Sequence, residues 1–172
     1  MVALLPACGA IPVLEHWPIS IEQVNSVISA LGAGAGGEFT LDKFGECVLE
    51  SEDGEECVIN APAQGSAFTL SAVVGFVHDQ DGDTFLGALL RLNADNEKML
   101  GGTVSLDESG KAIVYRYVVD TKGLDGPGMM MLIGNFFIVT DSLRREIRRL
   151  HRSSGGAARR QRQRQLDHAR YI

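Results

Sequence analysis

The sequence predicts an α+β domain, a twisted antiparallel sheet packed with helices in the order helix, three strands, helix, two strands, helix. Three observations carry the prediction. Apolar residues recur at steps of three and four near both ends of the chain, they alternate with polar ones between, and two acidic-Gly turns punctuate the alternating runs.

The first helix is "SIEQVNSVISALG": Ser20 as N-cap, Ile21, Val24, Val27, Ile28 and Leu31 at helical spacing, and Gly32 as the stop. Gly32, Gly34 and Gly37 in "GAGAGGE" satisfy G-x-G-x-x-G. Dinucleotide-binding glycines follow a strand and open a helix, whereas these follow a helix and lead to a strand, so a helix-to-strand loop is expected. "GECVLESEDGEECVIN" reads as a hairpin with Glu52, Asp53 and Gly54 in the loop and Gly54 left-handed. That register sets Leu49 opposite Cys57, Cys47 opposite Ile59 and Val48 opposite Val58. One face then carries Cys47, Leu49, Cys57 and Ile59, and the other carries Val48 and Val58 among Glu46, Glu50, Glu56 and Asn60. In the third strand, "AFTLSAVVGFV", the alternation places Phe68, Leu70, Ala72, Val74 and Phe76 on one side.

"HDQDGDTFLGALLRLN" opens with Asp79, Asp81 and Asp83, a start that suggests a calcium loop. The glycine needed at loop position six is Thr84 and the bidentate glutamate at position twelve is Leu90, so no calcium site is expected. The aspartates instead suit the N-terminus of a helix over roughly 84–92, capping its first N–H groups. "GGTVSLDESGKAIVYRYVV" gives two more strands around Glu108, Ser109 and Gly110. The last helix is predicted from about Pro127 to Arg152, with Leu132, Phe136, Val139, Leu143, Ile147 and Leu150 on one face and "RREIRRLHR" at its negative end. Met129 to Met131 suit core or interface filling. The remainder, "SSGGAARRQRQRQLDHARYI", is small, polar and basic, and disorder is expected there. The domain reading is thus an N-terminal extension at 1–18, an α+β domain at 19–152 and a basic tail at 153–172.

The chain of 172 residues suits one core, and its net charge of -6 hides a division. Residues 1–143 hold 20 acidic and 6 basic side chains, and residues 144–172 hold 2 acidic and 10 basic ones. An acidic body argues against nucleic acid as the main partner, and only the tail has a basic footprint. Cys8, Cys47 and Cys57 lack a disulfide-scaffold spacing, which favours a reducing compartment, and the pair on the hairpin reads as two buried thiols. "MVALLPACGA" has no basic residue before its short apolar part, so an export signal is not expected. The apolar stretch from Met129 to Val139 is too short to span a bilayer.

The stretch "GALLRLNADNEKMLGGTVSLDESGKAIVYRYVV" resembles the type III secretion chaperones of the Tir-chaperone (CesT-like) class. The resemblance lies in a middle helix, Leu86 to Asn93, with a Leu-x-x-Asn end, followed by Gly101 and Gly102, Val104 to Leu106, an acidic-Gly turn from Asp107 to Gly110, and Ile113 to Val119. It covers about residues 20–150 through hydrophobic pattern and not through a catalytic signature. The extension with Pro6, Pro12 and Pro18 and the basic tail depart from it; within the class, the broad-specificity branch of plant pathogens is the nearest in kind. The resemblance implies a cytoplasmic bacterial homodimer without cofactor or chemistry. Such a protein binds the N-terminal region of effector proteins, keeps it unfolded and presents it to the secretion apparatus, with the secretion ATPase as a further partner. It also implies that the middle helix forms much of the dimer contact, which nominates Leu86, Gly87, Ala88, Leu89 and Leu90.

The residues add two expectations of their own. Val48, Val58 and Val73, apolar and framed by carboxylates, suit an extended apolar or basic peptide bound through side-chain pockets or by strand addition. Arg159, Arg160, Arg162 and Arg164 in the tail suit electrostatic docking, and the alternative function is a nucleic-acid or membrane-surface adaptor working through them. An enzyme is not expected. None of His16, His78, His151 and His168 falls in a nucleophile or metal motif, and His78 with Asp79 or Asp81 is the acid-base cluster that the sequence offers.

Overall fold

The computed structural model describes residues 21–35, 39–51, 53–62, 67–120 and 124–169. In chain order the elements are α1 (Ile21–Ala35), β1 (Glu46–Glu50), β2 (Glu56–Asn60), β3 (Ala67–Phe76), α2 (Asp83–Leu92), α3 (Asn96–Met99), β4 (Thr103–Leu106), β5 (Ala112–Asp120) and α4 (Gly126–Ala169). The alternating runs form a five-stranded antiparallel sheet ordered β1-β2-β3-β5-β4. The predicted hairpin register is the observed one, with Leu49 opposite Cys57, Cys47 opposite Ile59 and Val48 opposite Val58. Gly54 and Gly110, with φ of 76° and 70°, supply the left-handed turn residues that these tight loops require.

Because side chains alternate along a strand, this register sorts the sheet into an apolar inner face and an outer one that mixes carboxylates with exposed valines. Cys57, Ile59, Leu70 and Ile113 lie inside with no exposed surface. On them pack Val24 and Ile28 of α1, Phe85, Leu89 and Leu92 of α2, and Met129, Phe136, Leu143 and Ile147 of α4, all buried. Each such side chain contributes roughly 1.5–3 kcal/mol by leaving water. Close contacts fix the glycine step after α3: a Cβ on Gly102 would collide with the ring of Tyr115, whose hydroxyl donates to Met99 O at 2.7 Å.

Five expectations change. Phe76 turns outward, 57% exposed, because the β3–β5 register shifts between Val73 and Gly75 and reverses the alternation. Gly75 belongs there because a Cβ would stand 2.9 Å from the Ile147 side chain. Gly32 and Gly34 lie inside α1 and not in a loop, their helix sustained by the neighbouring alanines; the predicted cap Ser20 and Gly37 fall outside the described residues. The four-residue helix α3, capped by Asp95 Oδ1 accepting from Lys98 N–H at 3.2 Å, carries too few residues to show a period. At α2 the N-cap is Gly82 with no side-chain cap, and Asp83 favours the dipole from the first turn.

The fifth change is the largest. Helix α4 runs on through residues 153–169, where disorder was expected, as alanine, arginine and glutamine outweigh the Ser-Ser-Gly-Gly step in helix propensity. The extension at 1–18 lies outside the described residues.

Candidate interaction surfaces

The outer face of the sheet is left open by the described helices. Val48 is 56% and Val73 44% exposed, and Val58, half-buried, stands between them in the strand order. Exposed Glu46, Glu50 and Glu56 flank the Val48–Val58 pair, and Val118 continues the apolar surface on β5. Asn60 Nδ2 donates to Glu46 Oε1 at 2.8 Å, fixing one corner of this frame. Beneath it, burial pushes the Cys57 thiol up to about 12 and raises that of Cys47, so the sulfurs act as core atoms and not as nucleophiles.

The two edge strands differ in what their main chain offers. Ala61 N–H donates to Gly45 O at 2.8 Å and Ser51 N–H to Glu55 O at 2.9 Å, so residues 46, 48 and 50 turn their N–H and C=O to the free edge of β1. Asp42 satisfies Glu46, accepting its N–H at Oδ1 over 2.9 Å and donating its own N–H to Glu46 O over 2.7 Å. Among the described residues the main-chain groups of Val48 and Glu50 on this edge meet no neighbouring strand. On β4, Asn93 satisfies Val104: its Oδ1 accepts Val104 N–H at 2.8 Å and its Nδ2 donates to Val104 O at 3.1 Å, while the main-chain groups of Leu106 also face that edge. This is the asparagine at the end of the middle helix, and its role is to stand in for a neighbouring strand.

The nominated α2 residues divide. Leu90 is 68% exposed, Leu86, Gly87 and Ala88 are half-buried, and Leu89 is 4% exposed in the chain's own core. Leu89 therefore packs inward with Phe85 and Leu92, at the spacing i, i+4, i+7 that the sequence already displays.

The acidic residues before α2 serve a contact that the sequence conceals. Asp81, with only 5% of its side chain exposed, sets Oδ1 3.0 Å from His151 Nδ1, while its Oδ2 accepts His78 N–H at 2.7 Å. The His151 ring stacks on Phe85 at 4.3 Å and lies 4.6 Å from that of His78. The cluster pins α4 to the β3–α2 loop. Arg144, paired with Glu55 and donating to Val73 O at 3.1 Å, pins it to the hairpin. Arg159, Arg160, Arg162 and Arg164 occupy helical positions whose side chains lie outside the described residues. Among the described residues no helix is long and apolar enough to cross a membrane.

This α+β arrangement, a five-stranded antiparallel sheet packed with helices, matches the fold of solved type III secretion chaperones. A chain of the ExsC-ExsE complex superimposes with a TM-score of 0.63 at 16% identity, over 74% of this chain and 96% of that one. A chain of the HopA1-SchA chaperone-effector complex gives 0.58 at 12% identity, over 74% and 99%. The complex of the Yersinia pestis type III secretion chaperone SycH with a fragment of YscM2 gives 0.53 at 13%, over 69% and 98%. Residues 26–139 match the model of the Tir chaperone protein (CesT) family, and the chain belongs to that family. No curated protein matches it.

Proposed function

We propose that this chain is a cytoplasmic, non-catalytic type III secretion chaperone that holds the N-terminal region of an effector along the outer face and free edge of its β1–β2 hairpin. Membership of the Tir chaperone family supports the class, and the solved neighbours include a chaperone-effector complex. The observation that carries the binding mode is the Val48–Val58 pair framed by Glu46, Glu50 and Glu56, beside main-chain groups of Val48 and Glu50 that face the open edge. An extended segment there pairs its backbone with β1 and sets alternate apolar side chains against Val48, Val58 and Val73. Basic residues of the same segment meet the carboxylates. Held in this way it stays unfolded until delivery to the secretion apparatus, where the secretion ATPase is the natural receiver.

The working form in this reading is a homodimer through α2. Leu90 with Leu86 makes an apolar ridge, Gly87 and Ala88 let two helices approach closely, and a two-fold axis covers both copies at once. Light scattering after size exclusion, on the protein alone and coexpressed with N-terminal segments of secreted proteins from the same cell, tests both parts. The expected result is a dimer that retains one segment, a Leu90→Arg variant that is monomeric, and a Val48→Asp/Val58→Asp variant that is dimeric and empty. A wild-type monomer removes the α2 interface; a doubly substituted dimer that still carries its segment removes the hairpin face.

A further inference from the structure

The end of α4 supports a second binding activity, independent of the sheet face. Family similarity stops at residue 139, and the ExsC-ExsE and HopA1-SchA chains each match only 74% of this chain while being almost fully covered themselves. The segment after residue 143 lies beyond the matched residues 26–139, and its charge is opposite to that of the body: 10 basic against 2 acidic side chains. Every one of the ten is arginine, whose planar fork pairs with phosphate through two parallel hydrogen bonds.

The sequence argued against a polyanion because the body is acidic. The continuous helix changes that balance. Its last described contacts with the body are those of His151 with Asp81, Phe85 and His78, which root it firmly. Arg159 stands eight residues further on, about 12 Å of helix rise, and this exceeds the screening length of roughly 8 Å at physiological salt. Closer to the root, Arg148 and Arg152 are exposed and carry no ion pair among the described residues, unlike Arg144, Arg145 and Arg149. Positions 148, 152 and 159 follow one another at steps of four and seven, along a single line of the helix.

Composition selects among polyanions. Residues 153–165 include no large apolar side chain, which removes the buried face that an interfacial membrane helix needs. Four arginines within positions 159–164 occupy about 9 Å of helix, a density suited to a duplex bearing one charge per roughly 1.7 Å. Gln163, one residue from Arg162 and one from Arg164, is of the type that bonds base edges in a major groove wide enough for a helix. We infer that the arginine-rich end of α4 is a nucleic-acid-binding arm that engages the phosphates of a duplex.

The test is fluorescence anisotropy of a labelled mixed-sequence DNA duplex titrated with the full-length protein at several NaCl concentrations. With four phosphate contacts the affinity should fall about a hundredfold between roughly 50 and 200 mM salt. R159Q/R160Q/R162Q/R164Q, which keeps good helix formers and leaves the core untouched, should bind at least about tenfold more weakly at the low salt and lose most of the salt dependence. Its thermal melt and dimer mass should match the wild type, so that a loss of binding is assigned to the arm. Absence of binding at low salt, or equal binding by the variant, overturns the inference. Competition by polyglutamate as strong as by unlabelled duplex assigns the arm to an acidic polypeptide instead, and preferential sedimentation with phosphatidylserine vesicles assigns it to a membrane surface; either result also overturns it.

Discussion

The two edges of the sheet meet their surroundings on different terms. At β4 the side-chain amide of Asn93 takes both main-chain groups of Val104, and the helix that supplies it is packed into the core through Phe85, Leu89 and Leu92. At β1 the chain spends Asp42 on Glu46 and leaves the groups of Val48 and Glu50 turned outward, beside the exposed Val48 side chain of the outer face. An unpaired edge invites further strands, and most proteins blunt both of theirs. An internal amide at Val104 shortens the stretch of β4 open to pairing, whereas among the described residues Val48 and Glu50 leave two successive outward positions of β1 open.

Asn93→Leu is the strongest way to break that difference. It keeps the helix and the approximate volume but leaves Val104 N–H and C=O without partners in a partly buried place, a loss of about 2 kcal/mol. Urea unfolding should show the midpoint falling with an unchanged slope. The freed edge should also make the variant associate at high concentration. A loss under about 0.5 kcal/mol would mean that water replaces the amide and that the two edges are equivalent.

Alkaline titration separates the two sides next. Burial pushes Cys57, next to the open edge, from 9.0 up to about 12, and Tyr115, the partner of Val104, from 10.0 up to about 12. Both groups are held neutral by the fold. Their contribution is therefore complete below the unfolded values and is lost as pH rises toward the folded ones, by up to about 1.4 kcal/mol per pH unit for each group. The thiols should begin to lower the stability of the whole domain from about pH 9 and the Tyr115 phenol from about pH 10. Cys57→Ala should reduce the earlier onset in urea unfolding across this range, Cys47 supplying what remains, and Tyr115→Phe should remove the later one; a wild-type curve flat to pH 10 would show that the thiols are not held neutral.

What the sequence made legible follows the range of the interaction that decides it. The hairpin register and the outward positions of Val48, Val58 and Val73 follow from period-two alternation and a left-handed Gly54, both local. Phe76 was misplaced because its direction depends on a bulge made where Ile147, more than seventy residues later, presses on Gly75. The same distance hid the pairing of Asp81 with His151, and the strand-like use of Asn93 required knowing that β4 passes beside the end of α2. Leu89 is different, since Phe85, Leu89 and Leu92 already lie at core spacing and mark the inward stripe.

The smallest expected change in stability tests the open edge most directly. At position 48 the N–H points away from β2, so proline there removes no ladder bond, and edge strands tolerate it. Val48→Pro should cost under about 1 kcal/mol, less than the Asn93 substitution, because no bonded main-chain group is lost. If effector segments add as a strand, the same variant should retain them at least about tenfold less well, a shift of roughly 1.4 kcal/mol in binding. Val48→Thr, which keeps the N–H and the branched shape but adds a hydroxyl, should retain most of the binding. Retention by the proline variant would place recognition on the side chains of the face alone. A stability loss as large as that of Asn93→Leu would mean that β1 is already paired, and if the pairing partner is a second copy, the free edge would belong to the proposed dimer interface and not to the effector.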